Sequence, residues 1–85
     1  MAQQKKVTIA GVEYTLQKLP PREYTRLRAR SSDRSGLLNE ERYLDEVLEH
    51  IVVDPKVKLD DFEDYAAVEE VVAEATNFQH GRRVI

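Results

Sequence analysis

No cysteine occurs in the 85 residues, and no tryptophan. The first absence excludes a disulfide framework, thiolate metal sites and a cysteine nucleophile together. Glycine is confined to Gly11, Gly36 and Gly81, too few and too scattered for a phosphate-cradling loop or a nucleophile elbow. No uninterrupted apolar run exceeds four residues, so no stretch reads as a membrane span, and MAQQKKVTIA lacks the apolar core of a secretory signal. The expectation is one small cytoplasmic domain with no membrane association.

What is present is charge, unevenly placed. Six basic residues face two acidic ones between Gln17 and Arg34, whereas thirteen acidic residues face three basic ones between Asn39 and Gln79. The net charge of −3 conceals a basic front half and an acidic back half.

The clearest local pattern is NEERYLDEVLEHIVV. Tyr43, Leu44, Val47, Leu48, Ile51 and Val52 form one broad helical stripe, Asn39 is a good N-cap, and Glu40 and Glu41 suit the positive end of the dipole. Pro55 pulls Asp54 out of the α region, so the spacing predicts a helix over 39–53. Ahead of it, Val7, Ile9, Val12, Tyr14 and Leu16 alternate on both sides of Ala10-Gly11, which predicts a β-hairpin over 7–17 after a frayed 1–6. Because alanine disfavours positive φ, a type I turn with Gly11 left-handed is expected rather than type I′. Such a hairpin leaves edges open to strands from a partner.

Pro20-Pro21 starts a helix over 21–30, with Tyr24, Leu27 and Ala29 inward and Arg22, Arg26, Arg28 and Arg30 outward. SSDRSG is a turn-rich connection. Asp60 with Glu63 has the form of a capping box, and Phe62, Tyr65, Val68, Val72 and Ala75, widened by Val71 and Phe78, predict a helix over 60–79, continuous or broken before Tyr65. Gly81 is placed as its C-cap and 82–85 as a tail. The fold class expected is mostly α (α+β): an N-terminal β-hairpin followed by a three-helix bundle-like domain, with the second helix at the centre.

The polar residues offer little chemistry. His50 with Glu46 and Glu49 gives too few ligands at the wrong spacing for a metal, and reads instead as a half-buried histidine at the stripe's edge. Nothing in the spacing joins His80 to Ser31, Ser32 or Ser35. No catalytic, cofactor or metal residue is assigned, and the chain is not expected to be an enzyme. A basic helix can dock on phosphates, yet the domain is negative overall and poor in aromatic residues beside the arginines, which disfavours nucleic acid. The candidate residues are therefore those of partner binding: Arg22, Arg26, Arg28 and Arg30 on the first helix, and Glu69, Glu70, Glu74 and Phe78 on the last. The competing reading makes the charges solvated faces and Phe78 the last residue of the core.

Three stretches, VTIAGVEYTLQKLPPREYTRLR, VLEHIVVDPKVKLDDFED and VEEVVAEATNFQHG, resemble small tail-assembly chaperones of long-tailed (siphovirus-type) phages and prophages. The resemblance covers roughly Val7 to Gly81 and is carried by Leu48, Val52, Val53, Pro55, Leu59, Phe62 and Phe78-Gln79. Ala10 stands where such a hairpin would be expected to have Asn or Asp. The resemblance implies a binding protein of the host cytoplasm that coats the tape-measure protein, recruits tail-tube subunits and leaves before the virion is finished. It also implies that a longer form can arise by translational frameshift. A homo-oligomer, through the basic first helix and the acidic last one, is a further expectation. A structural connector or completion protein and a nucleic-acid-binding regulator are the alternatives.

Overall fold

A computed structural model describes residues 3–81. The element order is β1 (Gln4–Ile9), β2 (Val12–Gln17), α1 (Pro21–Arg30), α2 (Glu40–His50), β3 (Val52–Asp54), a 3-10 turn (Leu59–Asp61) and α3 (Tyr65–His80). The three strands form one antiparallel sheet in the order β1-β2-β3. This overturns the three-helix bundle. The fold is α+β, with α2 and α3 packed against a three-stranded sheet and α1 packed on α2.

The hairpin is in register from Gln4↔Gln17 to Ile9↔Val12, so β1 begins inside the stretch read as frayed. Ala10 and Gly11 both take positive φ, at 51° and 80°. That is the type I′ requirement, not the type I turn expected, and it wins because a two-residue loop must match the right-handed twist of both strands. Ile9, Tyr14 and Leu16 are buried along one face, as the alternation requires; Val12, at the turn, stays 41% exposed.

Asn39 caps α2, its side-chain oxygen accepting from the Arg42 N–H at 3.0 Å. Leu44, Val47 and Leu48 are buried on its inner face. The helix stops at His50 instead of running to Val53. Val52–Asp54 leaves as β3, pairing Leu16↔Val52 and Thr15↔Asp54 across an irregularity between Thr15 and Leu16. The last carbonyls of α2 are claimed by side chains and by β2. The Gln17 N–H donates to Ile51 O at 2.8 Å, Gln17 Nε2 to His50 O at 2.9 Å, and Lys56 Nζ to Glu49 O at 2.6 Å. Satisfying orphan carbonyls with a neighbouring strand lets the helix end two residues before the stripe does.

The predicted helix over 60–79 is broken. Leu59–Asp61 forms a 3-10 turn and α3 starts only at Tyr65. Asp61, rather than Asp60, does the capping, its carboxylate accepting from the Lys58 N–H at 2.8 Å. Val68, Val71, Val72 and Ala75 are buried, whereas Tyr65 is 54% exposed and leaves the stripe. Ala29, expected inward on α1, is exposed, and only Tyr24 and Leu27 are buried there. Gly81 ends α3 in the left-handed region at φ 69°. The expected tail over 82–85 lies outside the described residues.

Candidate partner-binding surface

The four arginines of α1 do not share one environment. Arg22, Arg26 and Arg28 are exposed, and the contact of Arg26 with Glu23 is a loose 3.9 Å. Arg30 is spoken for. Its Nη2 and Nε donate to the two carboxylate oxygens of Glu46 on α2, at 3.1 and 3.3 Å. This fork geometry holds the Arg30 guanidinium more strongly protonated than usual and lowers the Glu46 carboxyl below the ordinary glutamate value, in both cases chiefly through the hydrogen bond. His50 Nε2 lies 3.0 Å from the same carboxylate, one helical turn on. Arg30 is thus a strut between α1 and α2, and His50 sits at the surface with 44% of its side chain exposed.

On α3, Glu69 and Glu70 are exposed, while Glu74 is partly covered and 3.8 Å from Lys5 Nζ on β1. Phe78 is partly buried and packs on the core, with Lys18 Nζ 5.3 Å above its ring centroid. Lining the core and a cation leaves little of the ring to offer a partner. Of the eight candidates, Arg22, Arg26 and Arg28 stay exposed on α1, with Arg22 and Arg26 one turn apart and Arg28 on another side of the helix, and Glu69 and Glu70 stay exposed on α3. The structure gives Arg30, Glu74 and Phe78 internal contacts.

Two features were not foreseen. Leu37 and Leu38, in the α1–α2 connection, are 68% and 43% exposed. Their loop is well tied. Asp33 Oδ1 accepts from Ser35 N, Ser35 Oγ and Leu37 N at 2.9, 2.7 and 3.0 Å, and the Asn39 N–H donates to Ser31 O at 2.6 Å. The Ser35 hydroxyl, and then the backbone donors, hold the Asp33 carboxyl below the usual aspartate value. Consecutive leucines directly before an N-cap, in an otherwise polar connection, were the available signal. The second feature is a buried polar clamp. Gln79, only 8% exposed, accepts from the Leu19 N–H at 2.7 Å and donates to the Leu19 carbonyl at 2.8 Å.

Neither His80 nor the serines form a dyad. His80 Nε2 lies 2.9 Å from the Tyr24 hydroxyl, which also bonds the Tyr43 hydroxyl, whereas Ser31 Oγ donates to Leu27 O. Burial, and then the bond to Tyr24, push the Tyr43 hydroxyl to a pKa well above its usual value. It therefore stays protonated, and the three groups make a hydrogen-bonded seam joining α1, α2 and α3. A concavity of about 760 Å³ opens beside α2 and residues 57–60, lined by Leu48, Val57 and Leu59 and by charges of both signs. Among the described residues no group of His, Asp or Glu is arranged to hold a metal, and no helix is long and apolar enough to cross a membrane. Comparison with protein-family models, curated proteins and solved structures found no match.

Proposed function

We propose that this chain is a phage tail-assembly chaperone, a non-enzymatic protein that engages the tape-measure protein and tail-tube subunits in the host cytoplasm. The observation that carries the reading is the separation of exposed charge: arginines 22, 26 and 28 on α1, glutamates 69 and 70 on α3. Opposed charges speed encounter and select orientation without committing a complex to permanence, which suits a factor that must let go. The tied loop with Leu37 and Leu38 supplies apolar contact that charge alone does not. The sequence resemblance supplies the identity of the partners.

Co-expression with the neighbouring tape-measure product and tube subunit, followed by pull-down, tests the proposal. Binding is expected at low and moderate salt and should be lost when Arg22, Arg26 and Arg28 are all replaced by glutamate. No binding even at low salt overturns the reading. Recovery of the chain in purified virions would replace it with a structural connector or completion protein.

A further inference from the structure

The sheet has unequal edges. On one side lies β3, three residues long; on the other lies β1, six residues without proline, glycine or bulge. Ile9 and Val12 flank a two-residue turn and so form a hydrogen-bonded pair. The alternation continues through Val7 and Lys5 to residue 3, where the Lys18 N–H donates to Gln3 O at 2.9 Å. The main-chain groups of Gln4, Lys6 and Thr8 therefore point away from β2. Among the described residues no strand meets them.

We propose that the outer edge of β1 takes an extended acidic segment of a partner protein, which adds to the sheet as a fourth strand. The backbone of Gln4, Lys6 and Thr8 supplies the ladder, and Lys6, on the face opposite Val7, supplies the selection. Its contact with Glu13, at 3.9 Å, exceeds hydrogen-bond length, so the ammonium group keeps donors to give. A carboxylate opposite Lys6 and an apolar side chain opposite the half-buried Val7 match the two faces of the strand. A second copy fits less well. Antiparallel self-pairing centred on Lys6 sets lysine against lysine, and pairing centred on Val7 still leaves the two Lys6 side chains diagonal neighbours. The inference does not rest on the tail-assembly reading, since any role would leave this edge in place.

The test uses the full chain, isotope-labelled, with a fluorescent peptide alternating glutamate and valine and a lysine–valine counterpart. The acidic peptide should bind and the basic one should not. On binding, amide exchange at Gln4, Lys6 and Thr8 should slow while Val7 and Ile9 stay as they were. Thr8→Pro sacrifices no bond to β2 and should weaken binding about tenfold or more. Lys6→Gln should weaken it about threefold. Failure of the acidic peptide to bind, equal binding of both peptides, or unchanged affinity of Thr8→Pro overturns the proposal. So does concentration-dependent protection of Lys6 and Thr8 without peptide, which would give the edge to a second copy. If Thr8→Pro does not fold, the exchange pattern of the unaltered chain decides alone.

Discussion

Ala10 carries a side chain into the left-handed region, where an L-residue other than glycine, asparagine or aspartate pays a steric penalty. The position is exposed, so nothing but the turn constrains it. Ala10→Asn should therefore raise stability by about 1 kcal/mol, measured by urea denaturation. An unchanged or lower midpoint would contradict the type I′ geometry. Gln79 presents the opposite case, a polar side chain whose removal leaves both Leu19 backbone groups without partners. Gln79→Leu should lose about 2 kcal/mol or more. Gln79→Glu should be worse at neutral pH than in acid, because the ionised carboxylate cannot donate to the Leu19 carbonyl while the protonated acid can. A pH-independent deficit would count against the clamp. Neither residue was legible in the sequence. Alanine's preferences argue against positive φ, and Gln79 follows Phe78 at the rim of the apolar stripe, where glutamine ordinarily meets water.

The pairing of α1 with α2 through Arg30 and Glu46 gives the acid limb of stability a specific contributor. The folded-state pKa of Glu46 lies below its unfolded value, chiefly because of the Arg30 hydrogen bond. The contribution is whole above the ordinary glutamate range and is lost as pH falls through the lowered value. It is small, since Arg30 is about half exposed and solvent screens a pair at the surface. Denaturation midpoints followed from about pH 6 to pH 3 should fall less steeply in Glu46→Gln than in the unaltered chain. Parallel curves would remove Glu46 from the account. Among the elements, the hairpin and three helical segments were legible because each has a complete period of apolar residues. β3 was not. Val52 and Val53 continue the stripe of α2, so periodicity cannot separate a last helical turn from a short strand. The decision comes from a partner 36 positions earlier, Leu16, which pairs with Val52. Only the tertiary structure brings that partner within reach.

For the molecule as a whole, charge separation carries a consequence for association. If the exposed arginines of α1 meet the exposed glutamates of α3 in another copy, sedimentation should show oligomers at low ionic strength that dissociate as salt is added. A monomer at every salt concentration rejects that contact. The opposed charge was legible from the sequence alone. Its reduction to arginines 22, 26 and 28 and glutamates 69 and 70 was not, since Arg30, Glu74 and Phe78 are withdrawn by neighbours distant in the chain. Leu19 and Gln79, 60 residues apart, are joined by two bonds at once. The final turn of α3 therefore has no private equilibrium of its own. It should loosen only when the segment between the hairpin and α1 loosens with it, so that the front and the back of the polypeptide melt as one event.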